Sequence, residues 1–583
     1  MTSGQAAARP SAEHLQRRLA VARGDAPADL VLKGGRVLSV FTGEVLQADV
    51  AICGEHVAGL GSYHGAEEVD VAGQVLVPGL LDGHMHLEST KLMVDEFARA
   101  VLPHGTTTVI IDPHEVANVF GLRGVRALLD SAGQVPLDYY VMVPSCVPAS
   151  RFESSGATVT AADIRAFVAE RSYVIGLAEV MDFPAVVAGE PGMLAKLSAV
   201  LDAGGHLDGH APGLSGPGLN AYLAAGIGSD HECTTAAEAL EKRRLGMWIM
   251  IREGSAARNL ETLLPMVLAH GPRNTMLCTD DREPDQLVRD GHIDDVVRKA
   301  IDLGCDPADA VVMATLNTAR WHRRHDLGAI APGYLADIVA VPVLEEFRPS
   351  MVWKRGRLVA AGGQAVPMPK VAAPQWMHDS VRVPELTAAD FRVEAAGRVH
   401  VIGVEPDSLT TRALVGEPGH ANGYATARPD RDLAKAAVIE RHRGTGRIGI
   451  GFVSGFGLQR GAVASTHAHD AHNLGVVGMD DADMAFAANR LRQIGGGQVA
   501  VLNGRVLAEL PCPVAGLLSE LPFEEVAAAA AHLDDAAHDD LGATYPAPFM
   551  AMSFLALTVI PELRITDRGL VDTVRFEPVP LPA

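Results

Sequence analysis

Two histidines one residue apart close an apolar run in "VPGLLDGHMHLEST", Val77 to Thr90. Successive strand side chains point to opposite faces, so His84 and His86 share one face. Two imidazoles on one face can hold a divalent ion, although such a pair is equally at home in ordinary hydrogen bonding at a strand end. Other apolar runs supply partners. The fourth ends with Glu179, the fifth with His210, the sixth with Asp230-His231-Glu232 and the eighth with Asp280-Asp281. Imidazole and carboxylate suit Zn, Mn or Fe(II) and need no cysteine. His84, His86, Glu179, His210, His231 and Asp280 suffice for two ions that share a bridging carboxylate and a bridging hydroxide.

Side chains so far apart in the chain need a scaffold that gathers strand ends. Between residues 75 and 327, eight apolar runs end in polar clusters: "QVLVPGLLDGHMH", "TTTVIIDPH", "YYVMVPSCVP", "YVIGLAEVMD", "HLDGHAPG", "GIGSDHE", "MWIMIREGS" and "NTMLCTDD". Segments of helical period separate them, such as "TTAAEALEKRRLG", which opens with a capping box from Thr235 to Glu238 and stops at Gly246. Eight strands alternating with helices predict an α/β fold of the (β/α)8 TIM-like barrel type, whose active sites lie at the carboxyl ends of the strands. A doubly wound open sheet is the alternative, but no GxGxxG follows a strand to support it.

The flanks read as β-structure. Residues 30–74 and 328–363 share an idiom of short strands and predict one small β-sandwich built from both sides, with Gly34-Gly35 as a hairpin turn. Residues 1–29 form an N-terminal extension and the Pro- and Ala-rich 364–384 a linker. A further α/β region spans 385–583, with a helix in "DDADMAFAANRLRQIGGG", a hairpin turning at Asn503-Gly504 and an alanine-rich surface helix in "EEVAAAAAHLDDAAH".

Composition narrows the class. The 583 residues are 48% hydrophobic and 21% charged, as in ordinary globular proteins. Lys plus Arg number 49 and Asp plus Glu 71, a formal charge of 49 − 71 = −22 with no basic block, which argues against nucleic acid as a partner. No apolar stretch approaches the roughly 20 residues of a membrane span, and the N-terminus lacks the apolar core of a secretory signal. The six cysteines form no CxxC, which suits reduced thiols; a cytoplasmic location is expected.

"PGLLDGHMHLES", the strand-end His210 and His231, and the late Asp280 resemble the amidohydrolase superfamily of metal-dependent hydrolases. Many of its members bridge their metals with a carboxylated lysine on the fourth strand; here "GLAEVMD" offers Glu179 instead. That departure, together with "DPHE", "DGHAPGL", "MIREGSAARNL", "LCTDDREP" and "GGGQVAVLNG", resembles the bacterial adenine deaminases over almost the whole chain. The resemblance implies hydrolysis of adenine to hypoxanthine and ammonia by a metal-bridging hydroxide attacking C6, with two divalent ions per subunit, Mn2+ or Fe2+ ahead of Zn2+. In that scheme Asp280 takes the proton and passes it to the leaving amine, and a second carboxylate protonates N1, Glu179 first and Asp112 second. The other zinc deaminase architecture, HxE…PCxxC, is excluded because "LPCPV" around Cys512 lacks the second cysteine.

Further residues have two readings each. Asp112 and His114 line the site or close a Pro-containing turn, and Asp281 contacts substrate or holds a loop. Arg252 and Glu253 contact substrate or form a structural ion pair; a glutamate at 179 paired with Arg252 would look the same. "THAHDAHN" holds His467, His469, Asp470 and His472, either a further metal site or a loop over the strand ends in which Asp470 or His472 shapes the purine pocket. Rival functions are deamination of another 6-aminopurine or an N6-substituted adenine, hydrolysis of a cyclic amide, and, from a different class, an inactive metal-free binding protein. A symmetric homo-oligomer, a dimer first, is the base expectation.

Overall fold

The computed structural model describes residues 11–170, 173–394, 397–406 and 408–583; the first ten residues of the expected N-terminal extension lie outside them. All eight apolar runs become strands: β1 Leu80–Met85, β2 Thr106–Ile111, β3 Asp138–Val143, β4 Val174–Val180, β5 His206–Gly209, β6 Ser229–Asp230, β7 Trp248–Arg252 and β8 Thr275–Cys278. Every pairing among them is parallel. β1 to β5 form one sheet in chain order and β6 to β8 a second. The two sheets touch at both ends, through parallel bridges of Met85 with Asp280 and Leu207 with Ile227.

Both faces of these strands are buried, which is why they read as continuous apolar runs and not as alternation. Ile110, Tyr140, Met142 and Ala178 pack together on one face. Their chain neighbours Val109, Ile111, Val141, Val143 and Leu177 join the large cluster formed with the helices. One such helix, Ala236–Arg244, starts where the capping box placed it, with Thr235 accepting from the Glu238 amide.

The flanking strands build two further sheets. One takes four strands from residues 28–70; the other interleaves Arg36–Leu38, Val45–Gln47 and Val75–Pro78 with Ile338–Val341, Met351–Lys354, Arg357–Ala361 and Gln364–Ala365. Two expectations are corrected here. Gly34-Gly35 is no hairpin: Ala28–Lys33 pairs within the four-stranded sheet and Arg36–Leu38 within the seven-stranded one, so the glycines carry the chain from one sheet to the other. Gly34 sits at φ +73°, which such a crossing demands and a hairpin also would; only the non-local partners distinguish the two. The run "QVLVPGLLDGHMH" is also two strands. Val75–Pro78 belongs to the seven-stranded sheet and β1 to the parallel array, the break falling at Gly79, where a Cβ would lie 2.3 Å from Thr107 Oγ1.

Buried ions tie the flank to the array. Lys354 Nζ lies 2.7 Å from both Asp138 Oδ2 and Asp337 Oδ2. The region after 397 is dominated by an eight-stranded sheet in which six of the seven strand pairings are antiparallel; the parallel pair joins Val399–Val404 to Ile448–Ser454. The expected helix spans Asp481–Ile494 and ends at Gly495 with φ +82°. The expected hairpin turns at Asn503-Gly504. Between strands Ala462–Ser465 and Leu474–Gly478, the 466–473 loop reaches the carboxyl ends of the parallel strands, where Asn473 Nδ2 donates to Ser154 O at 2.8 Å. Among the described residues no helix is long and apolar enough to cross a membrane.

Candidate metal centre

The ends of β1 and β8 are stitched together, the Asp280 amide donating to His84 O at 3.0 Å and the His86 amide to Asp280 O at 3.3 Å. Asp280 itself adopts φ +59°, a conformation a non-glycine residue holds only when its surroundings impose it. This turns its carboxylate toward the two imidazoles: Oδ1 lies 3.1 Å from His86 Nε2 and 3.6 Å from His84 Nε2.

Glu179, from the end of β4, stands among four rings. Its Oε1 is 2.9 Å from His86 Nε2 and 3.2 Å from His84 Nε2. Its Oε2 is 2.8 Å from His210 Nδ1 and 3.5 Å from His231 Nε2. One carboxylate therefore divides the histidines into two pairs. The rings pack closely, His84 stacking on His231 at 4.3 Å, and all six residues are buried.

Arg252 and Glu232 close one side. Glu232 takes both terminal nitrogens of Arg252, and Arg252 Nη1 also donates to Asp280 Oδ2 at 3.0 Å. The arginine thus pairs with Glu232 and Asp280, leaving Glu179 to the histidines. Burial opposes ionising Glu179, yet His231, His210 and His84 hold it well below the usual carboxylate range. Asp280 is likewise held low against burial by His84, His86 and Arg252. Burial works against a charged His86, and Asp280 and Glu179 nonetheless raise it well above an ordinary imidazole.

The donor set fits divalent ions. His84 Nε2 and Glu179 Oε1 are buried, have no hydrogen-bond partner among the described residues and face each other. His86 Nδ1 is 3.1 Å from Asp112 O, which holds the proton on that nitrogen and leaves Nε2 to point inward, the orientation a metal-binding imidazole needs. Protons on these rings occupy the lone pairs a metal would take, so the same field that attracts protons attracts cations.

The remaining candidates separate. His114, Asp281, Arg252 and Asp470 line the cavity beside this cluster, with His469, Met181 and Glu232. His114 Nδ1 is held by Asp112 Oδ2 at 3.2 Å while its Nε2 faces Asp470 Oδ1 at 3.5 Å. Asp112 does not line the cavity, but one of its carboxylate oxygens lies within 4.8 Å of ligand atoms of His86, His114 and Glu179, so it orients His114 from the edge of the cluster. Asp281 accepts from Ser89 Oγ. Glu253 turns away from the cavity: its carboxylate receives the Leu260 amide and faces Lys299, so it serves a helix start and an ion pair. His472 is also off the cavity. Its Nδ1 accepts from the Ala468 amide, and its Nε2 lies 3.3 Å from Glu115 Oε2.

Sequence reasoning did not reach the opposite wall. Leu409, Phe554, Leu557, Val559 and Ile560 cover the cavity with apolar surface, and Phe554 stacks on His469 at 4.7 Å. No periodic pattern or motif marks these positions. Glu232 stood next to His231 in "SDHE", and its adjacency to a proposed ligand was the available signal.

The family description "Amidohydrolase family" matches residues 75–359, and "Adenine deaminase C-terminal domain" matches residues 408–577. An adenine deaminase of Desulfatibacillum aliphaticivorans is 47% identical over 97% of this chain and 99% of its own length. The chain belongs to the adenine deaminase family. Adenine deaminases of Cereibacter sphaeroides and Kosmotoga olearia are 48% and 46% identical, covering 96% and 95% of this chain and 98% and 96% of theirs. A solved D-hydantoinase overlaps 58% of this chain and 96% of its own at 16% identity and a TM-score of 0.45, a likeness too remote to carry an argument. Within this adenine deaminase family chain, the six clustered side chains fall in the amidohydrolase match. His469, Asp470 and the whole apolar wall fall in the C-terminal match.

Proposed function

We propose that this chain is a dinuclear metal-dependent hydrolase that converts adenine to hypoxanthine and ammonia. The observation that carries the reading is Glu179, whose two oxygens each face a different pair of histidines. Full-length similarity to adenine deaminases supports the substrate. We read the parallel strands as a closed (β/α)8 barrel, which the bridges at both sheet ends support. The flanking sheets form a β-sandwich domain around residues 30–74 and 328–363, and residues 385–583 a C-terminal domain that roofs the site.

His84, His86, Asp280 and Glu179 Oε1 would hold one ion, and His210, His231 and Glu179 Oε2 the other. Mn2+ or Fe2+ suits this oxygen-and-nitrogen set, with Zn2+ as the alternative. When bound, such ions supply water of lowered pKa at neutral pH and polarise the reacting centre.

The protein's own groups then move protons. Asp280 Oδ1 takes the proton released from water and passes it to the departing amine, while Arg252 keeps Oδ2 fixed. Both oxygens of Glu179 are committed to imidazoles. The N1 proton is therefore assigned to His114 Nε2, which lines the cavity, with Asp112 orienting the ring through Nδ1. This makes Asp112 act through His114 and leaves Glu179 the bridging role. The apolar wall excludes bulk water and presses the purine toward the polar floor.

The test is ammonia release from adenine by the purified protein before chelation, after it, and after Mn2+ is restored. Activity lost and regained with two ions per chain is expected; adenine turnover by fully metal-free protein would overturn the reading.

A further inference from the structure

A second cavity of ≈ 380 Å³ adjoins the catalytic one. Its walls carry hydrogen-bonding groups, among them Ser255, Arg258, Glu283, Asp285 and Gln286, and the exposed Arg289 lies at its rim. Two residues line both cavities, Leu409 and Phe554. They stand as a partition between the catalytic cavity and this outer chamber.

The partition is clasped by a buried arginine. Arg564 is 1% exposed, and among the described residues no carboxylate pairs with it. Its guanidinium instead donates to Phe554 O at 2.7 Å, Ile560 O at 2.9 Å, Pro561 O at 3.0 Å and Leu409 O at 2.5 Å. A planar fork with five donors can hold two chain segments in fixed relation, and here those segments are the ones that carry Leu409 and Phe554. A buried charge satisfied only by carbonyls is costly unless every bond is made, so loss of one segment's position loses the others. Burial pulls this arginine down to about 9, in keeping with a guanidinium that meets dipoles and no counter-charge.

We infer that Leu409 and Phe554, set in place by Arg564, form a partition that restricts the site to purines unsubstituted at N9. The inference rests on the adenine reading above. With C6 at the histidine cluster, the opposite edge of the purine, which carries N3 and N9, faces the apolar wall. A substituent on N9 must then cross the line between Leu409 and Phe554 into the outer chamber. That chamber has the volume and the polar lining for a pentose, so the partition and not a lack of space beyond it decides. Arg564 touches no substrate; it is a positioning residue.

The test compares adenine with 9-methyladenine on the metal-loaded full chain. Wild type is expected to deaminate adenine and to disfavour 9-methyladenine by at least about 100-fold in kcat/KM. Leu409→Ala and Phe554→Ala are expected to raise the ratio of 9-methyladenine to adenine kcat/KM by about 10-fold or more. Arg564→Met should raise the same ratio, chiefly through KM, and Arg564→Lys should do so less. An unchanged ratio in the folded Leu409 and Phe554 variants overturns the partition. An Arg564→Met protein that loses thermal stability alone overturns the clasp. Should truncation prevent folding, wild type still decides: 9-methylpurine must inhibit at least about 10-fold more weakly than purine, and equal inhibition overturns the inference. Wild type that leaves adenine itself untouched refutes instead the adenine reading on which the partition depends.

Discussion

Arg252 Nη1 holds Asp280 Oδ2 at 3.0 Å, on the side of the carboxylate away from the histidines. The free oxygen, Oδ1, is the one 3.1 Å from His86 Nε2. Asp280→Asn keeps the size and one oxygen but removes the proton acceptor. We expect kcat for adenine to fall by about 10²–10⁴, the range typical of a lost general base, with metal content retained. Steady-state ammonia release measured beside metal analysis checks this, and near-normal turnover with full metal would remove Asp280 from the proton path.

Glu179→Ala deletes the one carboxylate that, among the described residues, reaches all four imidazoles. On the proposed two-ion arrangement, both sites would lose a ligand at once. Apparent affinity is expected to drop by more than about 100-fold, above the loss usual for an orienting partner, and activity with it. Titration of the chelated protein with Mn2+ reads the effect. Binding of two ions as tightly as in wild type would contradict a bridging role.

Glu153 offers a pH signature away from the strand ends. Burial, reinforced by Asp470, pushes its carboxyl up to about 8. The folded chain then binds a proton that the unfolded chain releases near pH 4.5, so between those values folding takes up a proton and stability falls as pH rises. Each pH unit across that window costs about 1.4 kcal/mol. Glu153→Gln should leave stability near pH 5 almost unchanged and raise it by a few kcal/mol at pH 8 and above, as read from denaturant midpoints at several pH values. A variant whose stability curve stays parallel to wild type would place the Glu153 titration elsewhere.

Much of the site was legible because its residues end apolar runs. His84 is the last residue but one of its strand, and His210, His231 and Asp280 lie one or two residues beyond a strand end, where a strand leaves the core and a polar side chain can point at its neighbours. The capping box and the Asn503-Gly504 turn were legible for a similar reason: their chemistry is local. What escaped depends on partners distant in the chain. Gly34-Gly35 looks the same whether the strands on either side pair with each other or with Asp49–Cys53 and Val75–Pro78. Phe554 and Ile560 reach the cavity through a non-periodic segment held by Arg564. Glu253 and His472 are polar residues in the right neighbourhoods, but a helix start and a glutamate behind the cavity claim them.

The tie between flank and parallel strands can be tested by stability alone. Lys354 is buried and answers two buried carboxylates, Asp138 and Asp337. Arg355 also reaches Asp138 but makes only a backbone contact with Asp337, through its amide. Lys354→Met therefore leaves Asp337 with no cation in ion-pair contact among the described residues, Arg355 acting on it only at longer range, in a site where burial already raises its pKa. Removing one partner of a buried ion pair typically costs about 3–5 kcal/mol, because the other charge stays desolvated. The variant should unfold at lower denaturant by that amount while binding metal as wild type does. Adding Asp337→Asn removes the stranded charge and should recover part of the loss, and a double variant no more stable than Lys354→Met would show that packing of the lysine stem, not charge, carries the tie.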